Sequence, residues 1–246
     1  MLAAERQAKI VEIIRSRGSA QVDDLAQELH VSSMTIRRDL EKLQEYNVLQ
    51  RCHGGAVAKQ EVTYEDKRVI HKEEKEVLAG ICQNLVSKGD TIFLDAGTTT
   101  YEIAKRIKEI PEIMVVTNDL EIARLLKDSP ADLFLCGGSL QKATGSMLGY
   151  YATQMLADFH FDVGFFGAAS INDEMEVLTP TVDKAFLKRA AVQRCQQAYL
   201  VVDSSKFGRK AMTKINHLSD YTAVITNKAL TGDQRKEAEK AGIRFF

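Results

Sequence analysis

The chain has 246 residues, enough for about two domains, and sets 33 Lys and Arg against 34 Asp and Glu for a formal net charge of -1. A balance so close to neutral excludes a nonspecific basic coat for nucleic acid. The opening Met1-Leu2-Ala3-Ala4-Glu5-Arg6 lacks a signal-peptide plan and no apolar run approaches the roughly 20 residues that span a bilayer, so a cytoplasmic protein without membrane contact is expected.

In chain order, Ile10, Ile13 and Ile14 space a first amphipathic helix, Leu25 and Leu29 a short second one, and Ile36, Leu40 and Leu43 a third. The third helix opens in Val31-Ser32-Ser33-Met34-Thr35-Ile36-Arg37-Arg38-Asp39-Leu40. A capped start with hydroxyls and paired arginines suits a DNA groove; the plainer alternative is a surface helix with two solvated charges. If Ile36 and Leu40 turn inward, then Ser33, Thr35, Arg37 and Arg38 are rotated outward. Residues 48–57 read as two short strands around a Gly-Gly turn, a basic hairpin beside the third helix. Three helices plus a wing predict a winged helix-turn-helix over 1–58. Its candidate DNA-binding residues are Ser32, Ser33, Thr35, Arg37 and Arg38, with Arg51, His53, Gly54 and Gly55 from the wing.

Residues 59–76 carry many Lys and Glu and few large apolar side chains, and 59–70 are expected to be a linker. A helix near 71–88, carrying Val77, Leu78, Ile81 and Leu85, then begins a second domain over 71–246. Strands are predicted at 91–95, 113–117, 133–136, 161–166, 199–203 and 221–226, and helices near 99–109, 119–127, 149–158, 181–196 and 232–241. Short apolar strands alternating with helices give an α/β class, a doubly wound and mostly parallel sheet covered on both faces. Ligands of such sheets sit beyond the carboxyl ends of the strands.

The first strand end is Asp95-Ala96-Gly97-Thr98-Thr99-Thr100, a turn that opens a helix. Free amides, threonine hydroxyls and the helix dipole would make an anion seat there; Thr99 and Glu102 could instead form a simple capping box. The next strand ends carry Thr117-Asn118-Asp119 and Gly137-Gly138-Ser139, small groups facing one crevice. Asp203 and Lys206 follow a later strand, where the lysine either neutralises a phosphate or is a solvated loop side chain.

Residues 5–58 resemble the DNA-binding half of the DeoR family of bacterial sugar-metabolism repressors, with its Thr-Ile-Arg-Arg-Asp-Leu helix and Arg-x-His-Gly-Gly-Ala wing; Cys52 is the unusual wing residue. Residues 75–246 are similar to the effector-sensing half of that family, related in fold to ribose-5-phosphate isomerase. The matching motifs are Asp95 to Thr99, Val116 to Asn118, Gly137-Gly138 and Asp203 to Gly208. The resemblance implies a repressor of a carbohydrate operon that binds double-stranded operator DNA and is controlled by a phosphorylated sugar. The implied effector-binding set is Asp95, Gly97, Thr98, Thr99, Thr100, Thr117, Asn118, Gly137, Gly138, Lys184, Asp203 and Lys206. Lys184 departs from the family, which often carries an acidic residue ahead of the Lys-Arg-Ala found here at Lys188-Arg189-Ala190. One winged helix offers limited contact, so at least a homodimer on repeated half-sites is expected, assembled through the sensor half.

The alternative is a sugar-phosphate isomerase fused to a DNA-binding domain, with Asp95, Asp183 or Asp203 as base. No His, Cys or second carboxylate stands at a spacing that would define a proton shuttle, which favours a regulator without catalytic residues. Cys52, Cys82, Cys136 and Cys195 are scattered, without metal-ligand spacing, so reduced thiols and neither metal nor cofactor are expected.

Overall fold

A computed structural model describes residues 2–17, 19–46, 48–52, 54–58 and 63–246, with side chains for all of these except 15–17, 57 and 58. The N-terminal part consists of α1 (Ala3–Arg17), β1 (Ser19–Gln21), α2 (Val22–Glu28), α3 (Ser33–Glu45), β2 (Leu49–Cys52) and β3 (Gly55–Ala58). Ile10, Ile14, Leu25, Ile36, Leu40 and Leu43 are all buried in one core, as the helical spacing requires, while Ile13 packs at its edge. β3 lies between β1 and β2 and pairs antiparallel with both. The strand β1 is an addition to the expected three helices and hairpin, made by pairing of Ser19 to Gln21 with β3.

A helix, α4 (Tyr64–Val69), occupies the stretch expected to be a linker; Thr63 caps it and Tyr64 is buried. The expected linker residues 59–62 lie outside the described residues. Next come α5 (Lys72–Gln83), β4 (Thr91–Leu94), α6 (Thr98–Ile107), β5 (Met114–Thr117), α7 (Leu120–Leu126), β6 (Asp132–Leu135), the hairpin β7 (Ser139–Gln141) and β8 (Ser146–Leu148), α8 (Tyr150–Met155) and β9 (Phe161–Phe166). The chain then runs through β10 (Ser170–Ile171), β11 (Glu176–Thr179), α9 (Val182–Val192), β12 (Cys195–Val201), β13 (Thr213–His217), β14 (Ala223–Ile225) and α10 (Gly232–Lys240). The helix expected to reach residue 196 ends at Val192, and β12 has begun by Cys195.

Six strands form the central sheet in the order β14-β12-β9-β4-β5-β6, every neighbour parallel. One apolar cluster gathers Phe93, Val116, Phe166 and Leu200, and another gathers Ile92, Leu94, Val115 and Phe165, so alternate residues of one strand feed opposite layers. The sheet is therefore doubly wound. A small antiparallel sheet, β10-β11-β13, stands beside it. From β4 the chain proceeds outward to β5 and β6 on one side, and the later strands β9, β12 and β14 fill the other. This reversal puts the topological switch point between β4 and β9, where a crevice opens beyond the strand ends.

Candidate nucleic-acid interface and anion cavity

Helix α3 starts as its sequence dictates. Ser32 is the N-cap, with backbone in the extended region and its hydroxyl accepting from the Thr35 amide at 3.2 Å. Arg37 and Arg38 are exposed beside the inward Ile36 and Leu40, as the helical rotation predicts. Ser33 donates to Asp23 Oδ1 at 2.8 Å and thereby ties α3 to α2. In the wing, Arg51 donates to Glu41 Oε1 at 2.9 Å, an exposed pair that is weak in water and exchangeable for a phosphate. His53 lies outside the described residues. Gly54 turns the hairpin at a φ of 81°. Gly55 has a sheet role, because a Cβ there would stand 2.3 Å from the Ala20 carbonyl oxygen of β1.

The role of Asp39 has no local sequence signal, because its partners lie on α1. Its buried carboxylate accepts from Arg6 Nε at 2.5 Å and Gln7 Nε2 at 2.9 Å, fixing α1 across α3. A carboxylate inside the Arg-Arg-Asp run would otherwise oppose DNA. Here two donors from α1 consume it.

In the second domain a cavity of about 500 Å³ opens beyond β4, β9 and β12. Its walls include Gly97 to Thr100, Gly167 to Ser170, Thr179 to Thr181, Asp203 and Lys206, with Tyr46 and Val48 contributed from the N-terminal part. Lys67, Lys75, Lys184, Lys188, Arg209 and Lys210 also line it, so the lining is strongly cationic although the chain as a whole is not. Helix α6 points its first turn into this space. The N-cap is Gly97, without a side-chain cap, so the amides of Thr98, Thr99 and Thr100 have no intrahelical acceptor. The Thr99–Glu102 capping box does not form; Glu102 pairs with Lys105 at 2.6 Å. Thr100 spends its hydroxyl on the carbonyls of Asp95 and Gly97, which tightens the turn.

Asp95 is fully buried at the switch point. Its Oδ2 accepts from the Gly167 amide at 3.0 Å and from Lys188 Nζ, which also donates to the Gly167 carbonyl at 2.7 Å. Its Oδ1 is buried without a partner. A recess of about 10 Å³, room for one water-sized group, adjoins it and is lined by Asn118, Ser146, Lys184 and Lys188 among others. Asp203 Oδ1 accepts from the Ser205 amide at 2.9 Å, while Oδ2 is likewise buried and unpartnered. Burial opposes charge on Asp203, but Ser205 and the Lys206 ammonium outweigh it and hold the carboxyl below its ordinary range. Burial pushes Lys206 down and burial together with Lys206 pushes Lys75 down to about 8.

Not all expected cavity residues converge: Asp95 borders the small recess and not the cavity wall, because the Gly167 amide and Lys188 hold it inward. Thr117 is buried and donates to the Leu94 carbonyl at 2.7 Å, stitching β5 to β4. Asn118 reaches the recess but works as a clamp, accepting from the Ala96 amide at 2.9 Å and donating to the Met147 carbonyl at 3.3 Å. Gly137 and Gly138 do not line the cavity; a Cβ at Gly138 would stand 2.4 Å from the Leu148 carbonyl oxygen, so bareness there serves packing onto β8. Lysines 75 and 188 were missed, because a helical lysine reads as solvated until the fold shows which carbonyls surround it.

Comparison with known proteins bears on both halves. Residues 6–62 match the model of the DeoR-like helix-turn-helix domain, and residues 70–228 match that of the DeoR C terminal sensor domain. The chain is 34% identical to the HTH-type transcriptional regulator GlpR of Haloferax volcanii, covering 99% of this chain and 97% of that one. It is 35% identical to the lactose phosphotransferase system repressor of Streptococcus mutans, over 92% and 93% of the two chains. The glycerol-3-phosphate regulon repressor of Escherichia coli is 31% identical over 92% of each. Among solved structures, a D-ribose-5-phosphate isomerase in complex with phospho-erythronic acid has a TM-score of 0.42 and 15% identity over 55% of this chain and 54% of its own, too distant to carry a functional argument.

Proposed function

The chain belongs to the DeoR family and is a DNA-binding transcriptional regulator; from that premise we propose that it represses a carbohydrate-metabolism operon under the control of a phosphorylated sugar held in the cavity. The observation that carries this reading is a cationic cavity at the switch point of the sheet, entered by the open first turn of α6 and attached to a winged helix-turn-helix. The phosphate is taken by the amides of Thr98 to Thr100 with Lys206, and a sugar hydroxyl donates to the unpartnered Oδ2 of Asp203 on the cavity wall. Operator DNA is bound by Thr35, Arg37 and Arg38 of α3 and by Arg51 of the wing, with Ser32 and Ser33 shaping the helix start.

Binding rather than catalysis fits the cavity better. Asp95, the isomerase base nominated by its position, already faces the ammonium of Lys188 and the Gly167 amide. Assembly as at least a dimer is supported by α8 and α9, which pack together and expose Tyr150, Tyr151, Val182 and Phe186. A sugar that binds the DNA-incompetent arrangement more tightly shifts the population away from the operator by no more than that difference in affinity. The test is a thermal-shift screen of sugar phosphates on the full chain, followed by a gel shift with the best binder and an aldose-ketose assay. A ligand at about a hundred times its Kd stabilises by roughly 2.7 kcal/mol. Absence of any stabilising sugar phosphate, or turnover of one, would overturn the reading.

A further inference from the structure

We propose that Lys75 is the residue through which an anion in the cavity acts on α4 and so on the DNA-binding domain, an inference that rests on the anion seat described above. Helix α4 is bound to the sensor domain along its length. Thr63 caps it, accepting from the Asp66 amide at 3.2 Å and donating to Asp66 Oδ2 at 2.8 Å. The Tyr64 amide donates to the Ala143 carbonyl at 3.0 Å, its ring meets Tyr101 edge-on at 6.1 Å, and Arg68 lies 4.8 Å from the same Tyr101 ring. Tyr101 belongs to α6. The element that opens the anion seat therefore also carries α4.

The last turn of α4 is held differently. Lys75, on α5 and only 5% exposed, donates from Nζ to the carbonyls of Lys67 and Ile70, the latter at 2.6 Å. An ammonium has three protons, so two are spent on this turn and one remains on the cavity side, where Lys75 forms part of the wall. The Lys67 carbonyl is shared, because Thr98 Oγ1 in the first turn of α6 donates to it at 3.4 Å. Carbonyls alone bond this buried ammonium, and the carboxylates of Asp203, Glu102 and Glu74 favour its charge only without contact, so its desolvation is incompletely compensated. Lys206 nearby adds repulsion. The unpartnered Oδ2 of Asp203, 2% exposed at the same wall, independently marks the place as built for a polar occupant.

An anion seated on the α6 amides adds its charge to that of these carboxylates and draws Nζ toward itself. The carbonyls of Lys67 and Ile70 then lose their donor, and the last turn of α4 loosens. From Ala58, the last residue of β3, to the Thr63 cap is five residues, a reach of at most about 18 Å, so α4 and the wing are tethered within that distance. The coupling is thus local: one ammonium chooses between two backbone carbonyls and a ligand.

The experiment is hydrogen exchange on the full chain with and without saturating inorganic phosphate, in wild type and in Lys75→Gln, which keeps amide donors for the carbonyls but removes the charge; Lys75→Arg keeps both. In wild type, phosphate is expected to slow exchange at 98–100 and to speed exchange at 67–71 by about tenfold, the response to losing roughly one hydrogen bond's worth of local stability. Lys75→Gln should keep the response at 98–100 and lose that at 67–71, and Lys75→Arg should keep both. A wild-type response confined to 98–100, or an undiminished response at 67–71 in Lys75→Gln, overturns the role of Lys75 and leaves the anion seat standing. Silence at 98–100 overturns the seat itself, and this inference with it.

Discussion

Replacing Lys188 by Met tests whether the switch point is held by charge. Asp95 is fully buried and Lys188 nearly so, which makes theirs a desolvated pair rather than a surface one. In Lys188→Met the carboxylate keeps a single donor, the Gly167 amide, and the Met stem refills most of the lysine's volume, so the loss is electrostatic. Breaking a buried pair from one side costs about 3–5 kcal/mol. For a domain of this size each kcal/mol lowers Tm by about 2–4 °C, so even the lower figure predicts a fall of about 6–12 °C. Neutralising both sides in Asp95→Asn with Lys188→Met removes the unpaired charge and should recover most of that loss. The measurement is thermal unfolding followed by circular dichroism for wild type, both single variants and the double. A Lys188→Met melt within about 2 °C of wild type, less than about 1 kcal/mol, or a double variant as unstable as the sum of the singles, refutes a buried pair that holds β4 to β9.

Arg37→Ala with Arg38→Ala should abolish tight operator binding without changing the melt, since both side chains are exposed; a base-reading arginine alone is worth about 1–3 kcal/mol in a gel-shift titration. Sulfate affinity, measured by calorimetry, should fall as pH rises through about 8, because the anion favours protonated Lys75 while Asp203, Glu102 and Glu74 act on it from a distance; Lys75→Arg should move the fall to higher pH, and a flat wild-type profile would count against the assignment. Gly138→Ala should destabilise by about 1–3 kcal/mol through its clash with the Leu148 carbonyl while leaving sulfate affinity unchanged, whereas a selective loss of sulfate affinity would return Gly138 to the cavity. Tyr151→Glu with Phe186→Glu should lower the molar mass seen in light scattering, and an unchanged assembly would place the interface elsewhere.

What the sequence disclosed follows the range of the interactions. The three helices of the N-terminal domain are legible because Ile36, Leu40 and Leu43 sit at local spacing and Ser32 caps its own helix. Strand β1 is illegible, since three residues carry no period and Ala20 is fixed by pairing with Ala56 and by packing on a core built from other elements. The same holds for β10, β11 and β13, where Val177 meets Asn216 across a long separation and with a bulge. The charged composition of 59–70 suggested a linker, although Thr63 and Asp66 formed a helix start and Tyr64 had a partner in Tyr101. In the cavity, the turn at 95–100 was readable as a local motif. The lysines that give it charge were not, because Lys75 and Lys188 are made functional by carbonyls and a carboxylate from other elements.

A chain of net charge -1 thus gathers positive charge at the arginines of α3 and again along the cavity wall, and this shapes how regulation must be measured. Affinity for DNA falls with salt at a log-log slope of about -0.9 for each phosphate contact, so any added anion weakens the operator complex by competition alone. An effector seated in the cavity, as proposed, would act by a different route. Its contribution to the operator dissociation constant should saturate as the single site fills, whereas screening continues along the salt slope without saturating. Titrating a sugar phosphate against a chloride control of equal ionic strength separates the two. A saturable difference that vanishes when Lys206 is replaced by Ala locates the effect in the cavity, because Lys206 lines it and the arginines of α3 do not. A difference that survives Lys206→Ala unchanged would mean that the sugar phosphate acts at the DNA-binding surface, and the cavity would lose its claim to control the operator.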